Sequence, residues 1–481
     1  MGTASIVWFR LDLRVEDNPA LHYACDQQGP VLPVFIWAPE EEGEWAPGAA
    51  SKWWLHRSLL SLHGDLKKMG LSLVLKKGAS LSTLKQLIKE TGATRVYWNR
   101  RYEPALIARD TVVKDALRAQ NVEVESFNAS LLFEPWTIKT KSSSPYQVYT
   151  PFWRACSAAT PPPAPLPIPR PRSAYRKPLA SCEIDEFELE PKNDWAGGIK
   201  TTWVPGTTAA KKQLARFIKL ACVEYDSERD RPDRPGTSRL SPHLHFGEIS
   251  PREVWHKIKP LVDAKGAAKK FGKGGETYLK ELVWREFAHH LLFHFPKTPT
   301  HPLRSQFTAF PWKRNIKNIR AWQKGLTGYP IVDAGMRELW ETGWMHNRVR
   351  MIVASFLVKH LLIRWQDGAA WFWDTLVDAD LAANTMGWQW SSGCGADAAP
   401  YFRIFNPMIQ GEKFDPEGIY VRRFVPELAV LDNKWIHRPF DAPDQVLSQC
   451  GIKLGKTYPR PIVDHSEARA LALEAYDEIK A

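Results

Sequence analysis

The chain has 481 residues, of which 44% are hydrophobic and 25% charged, and its formal net charge is +12. This composition is typical of an ordinary globular protein, and the length predicts two or three domains. No run of about 18 apolar residues is present, so no membrane span is predicted. The six cysteines are far apart without a C-x-x-C pair, and charge appears early at the N-terminus. We therefore expect a cytoplasmic protein without zinc sites, disulfides or a secretory signal. The positive charge favours a polyanionic partner, with nucleic acid ahead of an anionic membrane.

Short β-prone runs alternate with helical patterns at the start of the chain. The β-prone runs are residues 5–9, 31–37, 71–76, 95–99 and 122–127. Helical patterns lie between them, and the pattern that ends at Gly92 has a typical helix C-terminus. Strands and helices at this spacing predict an α/β fold with a parallel, Rossmann-like sheet. The first strand is not followed by G-x-G-x-x-G, so the usual dinucleotide fingerprint is absent.

The rest of the chain predicts a different architecture. The stretch TPPPAPLPIPRPR (160–172) has too many prolines for helix or sheet and predicts an extended connector. Helical patterns then cover residues 276–295, 334–362 and 466–480, whereas GKGGET (272–277) lacks the spacing of a phosphate loop and predicts a plain loop. We expect an α/β domain over 1–130, an extended connector over 131–204 and a large all-α domain over 205–481.

Two motifs of the second half have residues suited to ligand binding. In GTSRLSPHLHFGEISP, hydroxyl groups precede a helix start beside Arg239. This pattern suits a phosphate, and a plain helix N-cap is the alternative. In YLKELVWREF, Glu281, Trp284 and Arg285 share one helical face. That face suits either a pocket for a flat, hydrogen-bonding ligand or a surface ion pair beside a core tryptophan.

Two further motifs combine tryptophans with an amide side chain. In GWMHNRVRM, Asn347 and Met351 lie on one helical face. Methionine and tryptophan at such spacing are typical of a core, but a buried carboxamide needs hydrogen-bond partners. In LAANTMGWQW, Trp388 and Trp390 are two residues apart and follow the acidic run VDAD. Packing is the usual role of buried tryptophan, so a second role needs further support.

The motifs together resemble the photolyase/cryptochrome family over nearly the whole chain. They are FRLDLRVEDNPAL, GTSRLS, ELVWREF, TGYPIVDAGMREL, WMHNRVRM, DADLAAN, GWQW and YFRIFNP, in this order. The resemblance is strongest to photolyases that repair cyclobutane pyrimidine dimers. It implies an N-terminal antenna domain, a connector and a helical domain holding reduced FAD (FADH⁻). The implied function is light-driven repair of UV-damaged DNA. The alternatives are a cryptochrome-type photoreceptor without repair activity and a basic nucleic-acid-binding protein without flavin.

The resemblance also implies a set of cofactor-binding residues. The phosphate cradle comprises Tyr225, Thr237, Ser238, Arg239, Leu240 and Ser241, with Tyr278 where the family often has tryptophan. The remaining FAD contacts are Arg285, Trp344, Asn347, Arg350, Asp378, Asp380 and Asn384. Arg350 and Asp378 are expected to form an ion pair beside the flavin ring. Asn384 is expected to face flavin N5; asparagine here resembles photolyases, whereas plant cryptochromes typically have aspartate.

Substrate and electron-transfer residues follow from the same resemblance. The dimer cavity is expected to contain Glu281, Trp284, Asn347, Met351, Asn384 and Trp390. Met351 occupies the position where photolyases for (6-4) photoproducts have histidine, which favours cyclobutane dimers. Electrons are expected to pass along Trp312, Trp365 and Trp388, and DNA phosphates to contact Arg229, Arg348 and Arg403. Trp388 and Trp390 are expected to point to opposite sides of a strand or turn.

A second, antenna chromophore is also expected, either folate or deazaflavin. Ala105 and Leu106 occupy the positions where some folate-binding relatives have an Asn-Glu pair, which disfavours that binding mode. Residues 48–59 and 97–104 are expected to line a different pocket. We expect a monomer of prokaryotic origin.

Overall fold

The computed structural model describes residues 2–265 and 271–480. A five-stranded sheet forms the core of the N-terminal part. Its strands are β1 Ser5–Phe9, β2 Val31–Trp37, β3 Val74–Lys77, β4 Arg95–Asn99 and β5 Glu123–Phe127. All neighbouring strands are parallel, in the order β3-β2-β1-β4-β5. The predicted α/β fold with a parallel sheet is therefore confirmed.

Helices cover both faces of this sheet, which explains why every residue of β1 and β2 is buried. They are α1 Pro19–Asp26, α2 Ala49–Lys68, α3 Ser80–Thr91 and α4 Pro104–Arg118. Asn18 caps α1 by accepting a hydrogen bond from the Leu21 amide at 3.0 Å. Gly92 ends α3 with a φ of 68°, as its sequence position predicts. The strand order reverses between β1 and β4, and ligands of such sheets bind beyond the carboxyl ends of the strands there.

The span between the sheet and the helical part is only partly extended. It contains the helices α5 Tyr149–Ala158 and α6 Gly197–Thr202. The proline-rich residues 160–171 form neither helix nor strand, as predicted. They lie along the α/β part, because the Leu166 amide donates to Asp17 and the Asp17 amide donates to the Leu166 carbonyl, both at 2.9 Å.

The remainder of the chain is helical, which confirms the predicted all-α architecture. Its helices are α7 Thr207–Leu220, α8 Tyr225–Glu228, α9 Ser241–His245, α10 Pro251–Asp263, α11 Gly272–His294, α12 Ile316–Gln323, α13 Pro330–Thr342, α14 Asn347–Ser355, α15 Trp365–Thr375, α16 Leu381–Ser392, α17 Pro407–Phe414, α18 Ile419–Phe424, α19 Asp444–Gln449 and α20 His465–Asp477. A π-helical turn, Phe356–His360, continues α14. Within the described ranges, none of the helices is both long and apolar enough to cross a membrane.

Two local predictions were wrong, both because of glycine. GKGGET is not a loop but the first turns of α11. A β-carbon on Gly274 would lie 2.2 Å from the Cys222 carbonyl oxygen, so glycine permits this helix to pack against the chain before α8. The helix predicted over 334–362 is interrupted at Gly343, whose φ of 66° ends α13. α14 then begins at Asn347 as a separate helix.

Buried polar contacts fix the helical part against the sheet domain. The buried carboxylate of Glu248 accepts hydrogen bonds from Trp54 Nε1 at 3.1 Å and Ser58 Oγ at 2.5 Å, both on α2. It also contacts His243 of α9. Arg14 donates to the Gly247 carbonyl at 2.9 Å. These contacts hold α9 and the loop after it in a fixed place relative to the sheet.

Candidate functional site

Helix α16 has an open face in the middle of the helical part. It packs against α11, α14 and α15. Asp380 caps it by accepting from the Ala383 amide at 2.8 Å. Leu381, Thr385 and Trp388 are buried, whereas Asn384, Gly387 and Trp390 follow each other at three-residue spacing and are less covered. A helical face that is not filled by its neighbours can accept a ligand.

Trp388 and Trp390 do not flank a strand or turn, because both belong to this helix. Two residues along a helix rotate by about 200°, so the indoles still point in different directions. Trp388 is 2% exposed in the core, and Trp390 is half-buried on the open face. The two side chains therefore point to different sides, as predicted, although from a helix and not from a strand or turn.

A charged pair borders the open face. Arg350 Nη2 lies 2.9 and 3.0 Å from the two carboxylate oxygens of Asp378, and its Nε donates to the Met345 carbonyl at 2.7 Å. The expected ion pair therefore forms. The side chain of Asp378 is only 3% exposed, so Arg350 is the charge partner of a carboxylate that is largely removed from water.

Asp380 lies beside two histidines that were missed from the sequence. His289 Nε2 and His245 Nδ1 lie 3.5 and 3.8 Å from its carboxylate. Burial opposes ionisation, but His289, His245 and the nearby Arg285 together hold the pKa of Asp380 well below its usual range. The N-cap of α16 therefore stays negatively charged. Arg285 also donates to the Ser130 carbonyl at 2.7 Å.

The GTSRLS loop, which precedes α9, has the groups of an anion-binding site. Arg239 has a φ of 51° and places its guanidinium 4.4 Å from the Trp203 ring and 4.8 Å from the Trp344 ring. Its Nε is buried and, within the described residues, has no hydrogen-bond partner. Trp344 Nε1 donates to Ser241 Oγ at 3.2 Å. A buried, unpartnered N–H among hydroxyl groups fits a phosphate.

The other predicted cradle residues surround the same place. Leu240 is buried and Thr237 and Ser238 are half-buried. Tyr225 and Tyr278 are both buried, with ring centroids 5.2 Å apart. Tyr278 also contacts Phe217 at 4.4 Å. Tyr278 therefore packs in an aromatic cluster with Tyr225 and Phe217, at the position where the family often has tryptophan.

The residues predicted for the dimer lie on α11 and α14. Trp284 is half-buried and stacks on Tyr149, with centroids 3.6 Å apart and planes 8° apart. Tyr149 was missed from the sequence because it is 135 positions away and has no motif. It covers one indole face, so only the other face can stack on a base. Asn347 is exposed at the start of α14, and Met351 is half-buried one turn later.

Two of the three arginines predicted to contact DNA already have carboxylate partners. Arg229 forms an ion pair with Glu281, and Arg348 Nη2 lies 2.8 Å from Asp230. Burial raises the pKa of Glu281 despite Arg229. Arg403 is exposed. Arg229 can therefore contact a phosphate, and Glu281 a base, only if their mutual ion pair breaks or if each side chain keeps it while binding the DNA group as well.

The predicted electron-transfer tryptophans lie in one hydrophobic cluster. Trp388 contacts Phe372 at 5.0 Å and lies over Gly368 of α15. Trp365 is buried at the start of α15, and Trp312 is half-buried beside Phe310 at 4.3 Å. In the described part of the chain, no two of the three indoles are in ring contact. Trp388 and Trp365 are thus fully buried, and Trp312 is the one of the three that is partly exposed.

A separate cavity lies at the carboxyl ends of β1, β2 and β4. Its empty volume is about 640 Å³. Ser51 and Leu55 line it from α2, and Arg101 from the segment after β4, so both predicted segments contribute. The wall residues His245 and Ala379 lie beside Asp380 at the start of α16. Ala105 is exposed and Leu106 is buried in α4, and neither apolar side chain offers the hydrogen-bonding groups of the Asn-Glu pair.

Comparisons with known proteins agree with this architecture. The family model for DNA photolyase matches residues 5–171, and the model for the FAD binding domain of DNA photolyase matches residues 278–478. The chain is 51% identical over 477 residues to the deoxyribodipyrimidine photo-lyase of Agrobacterium fabrum, covering 99% of this chain and 98% of that protein. It is 42% identical to cryptochrome-1 of Arabidopsis thaliana, covering 99% of this chain and 71% of that protein.

A solved structure gives the same result. A bacterial class III photolyase from Agrobacterium tumefaciens matches with a TM-score of 0.95 at 51% identity, covering 100% of this chain and 98% of that chain. Fold and site together define a two-domain protein of the photolyase and cryptochrome class. The chain belongs to the DNA photolyase family.

Proposed function

We propose that this protein is a light-driven lyase that splits cyclobutane pyrimidine dimers in DNA. The strongest support is the full-length 51% identity to a deoxyribodipyrimidine photo-lyase. The open face of α16, bordered by the Arg350–Asp378 pair, supplies a site of suitable chemistry.

FAD is the cofactor that this donor set fits. Arg239, Ser238 and Ser241 would hold its phosphates, and Arg350, Asp378 and Asn384 would border its ring. When bound in its reduced form, FAD supplies a light-excited electron that opens the cyclobutane ring and then returns. Arg350 offsets negative charge in a site of low dielectric. Asn384 offers a neutral amide that hydrogen-bonds without supplying a proton.

The dimer would lie on the open face after leaving the DNA stack. Trp390 and the free face of Trp284 would stack on its bases, each contact contributing about 1–3 kcal/mol. A dimer stacks and pairs poorly in the duplex, which lowers the free-energy cost of flipping it out. Asn347 and Glu281 would bind its polar edges, and Met351 would pack against it.

Arginine side chains would bind the DNA backbone. Arg403 is free to contact a phosphate, whereas Arg229 and Arg348 would do so from their present ion pairs. Each phosphate contact contributes about 0.9 to the steepness with which the logarithm of the binding constant falls against the logarithm of the salt concentration. The protein would act as a monomer in the cytoplasm.

The tryptophans and the second cavity would serve the light reaction. Trp312, Trp365 and Trp388 would pass an electron inward, because indole is readily oxidised. The cavity beyond the sheet, with Arg10, Arg101 and Arg109 in its wall, would hold the antenna chromophore. Arginine donors in a wall that also contains the carboxylate of Glu42 suit both folate and a deazaflavin, and we favour folate.

Glu281→Ala is expected to lower the repair yield per absorbed photon about tenfold, the size of one hydrogen bond to a charged group. In its protonated form, which burial favours by raising its pKa, Glu281 would donate a hydrogen bond to a thymine carbonyl and stabilise negative charge on the dimer. Binding to dimer-containing DNA in the dark should persist, because Trp284 and Trp390 remain. Glu281→Gln, which keeps hydrogen bonding, should retain more yield. Equal yields for wild type and Glu281→Ala would remove this role.

The competing function is that of a cryptochrome-type photoreceptor, supported by the 42% identity to cryptochrome-1. Dark binding separates the two. A repair enzyme should bind a duplex with one thymine dimer far more tightly than the undamaged duplex, whereas equal affinities for the two would favour the photoreceptor.

A further inference from the structure

Lys359 is a buried lysine outside the proposed flavin and dimer contacts. It lies in the π-helical turn Phe356–His360 that continues α14, and it is 1% exposed. Its Nζ donates to the Arg403 carbonyl at 2.9 Å and lies 5.2 Å from the Tyr401 ring centroid. In residues 2–265 and 271–480, no carboxylate lies within ion-pair distance of it. A buried ammonium with so few partners costs stability.

The partner of Lys359 is the loop over residues 394–406, between α16 and α17. This loop exposes Phe402 at 61% together with Arg403, whereas Tyr401 is buried at 1%. The turn over 400–404 has one backbone hydrogen bond from Arg403 to Pro400 and one from Ile404 to Phe402. Among the described residues, Lys359 makes the one side-chain hydrogen bond to the backbone of this turn.

The same lysine is connected to the substrate side of the protein. The π-helical turn follows directly from α14, which contains Asn347, Arg350 and Met351. A hydrogen bond from this turn to the Arg403 carbonyl therefore fixes the backbone that carries the exposed guanidinium relative to the open face. A charged donor makes a stronger hydrogen bond to a carbonyl than a neutral amine does.

We propose that Lys359 is a positioning residue for DNA binding, which holds the 394–406 loop so that Arg403 meets a phosphate beside the dimer. The proposal rests on the proposed function, since it requires Arg403 to contact DNA. Phosphate near the loop would favour the charged amine, so binding would be coupled to proton uptake by Lys359.

The coupling of DNA binding to proton uptake can be measured near neutral pH, because few groups around Lys359 titrate there. Burial, with a smaller contribution from Arg403, lowers the pKa of Lys359 to about 7. Burial lowers the pKa of His360 to about 3, and burial also lowers that of His465, whose Nδ1 lies 2.9 Å from His360 Nε2. Burial raises the pKa of Tyr401. Of these groups, Lys359 is therefore the one that changes charge between pH 6 and 9, losing it as the pH rises.

The test measures dark binding of the FAD-loaded protein to a duplex with one thymine dimer, from pH 6 to 9. The dissociation constant of wild type should rise about fivefold to tenfold with pH. Lys359→Met should bind about tenfold more weakly at pH 6 and lose the pH dependence. Lys359→Arg keeps the charge without titrating, so it should bind well across the whole range.

Arg403→Gln is the matched variant for the proposed function, and it should weaken binding and reduce the salt slope by about 0.9. If Arg403→Gln weakens binding but Lys359→Met matches wild type at every pH, the positioning role is overturned and the DNA contact stands. If Arg403→Gln has no effect, the DNA contact fails and the inference fails with it. If Lys359→Met does not fold, the wild type and Lys359→Arg still test the role. The role is overturned if the affinity of the wild type does not depend on pH, or if Lys359→Arg shows the same pH dependence as the wild type.

Discussion

Arg350→Met is expected to lower the free energy of unfolding by about 3–5 kcal/mol, because it leaves Asp378 buried and unpaired. Both carboxylate oxygens of Asp378 lie within 3.0 Å of Arg350 Nη2, and the carboxylate is nearly inaccessible to water. The variant should also lose FAD during purification, since the same guanidinium would border the cofactor. Denaturant unfolding and the ratio of flavin to protein absorbance measure the two effects.

Two controls separate the buried charge from general damage. Arg348→Met removes an arginine from the same helix, but its partner Asp230 is 34% exposed. That change should cost no more than about 1 kcal/mol. Combining Arg350→Met with Asp378→Asn removes both charges and should recover most of the stability. Unfolding of Arg350→Met within 1 kcal/mol of wild type would contradict the role of this pair.

Trp388→Phe is expected to slow the photoreduction of oxidised flavin about 100-fold or more, since each 1.36 kcal/mol added to the barrier costs tenfold. Benzene rings are much harder to oxidise than indole, and Trp388 is the predicted first donor from the core side of α16. The rate is measured as the loss of oxidised-flavin absorbance under blue light with a thiol reductant.

The matched control is Trp322→Phe, because Trp322 is equally buried and contacts Trp388 at 6.2 Å. It is not among the predicted donors, so its substitution should change the rate little. Repair by chemically reduced Trp388→Phe protein should persist. Equal photoreduction rates for wild type and Trp388→Phe would show that electrons enter by another route.

Local sequence patterns were sufficient for the architecture. The β-prone runs over 5–9 and 31–37, with helical patterns between successive runs, predicted parallel strands because a helical crossover is the usual connection between them. The same logic failed where glycine acts through long-range packing. Gly274 continues a helix because a neighbouring carbonyl approaches its α-carbon, and that approach has no local sequence signal.

The residues assigned to the site came from motif resemblance, which predicted one of their mutual contacts and missed others. The Arg350–Asp378 pair followed from resemblance and forms in the structure. In contrast, the stacking of Trp284 on Tyr149 and the Arg229–Glu281 pair join segments far apart in the chain. Side chains assigned to separate ligands can pair with each other in the folded chain, and only the three-dimensional arrangement reveals it.

Illumination of the reduced, FAD-loaded protein with dimer-containing DNA is the most direct measurement of the central claim. Blue light should restore intact thymines with repeated turnover per protein molecule, and a dark sample should restore none. Unchanged dimers after illumination, with flavin bound and the DNA in complex, would contradict it.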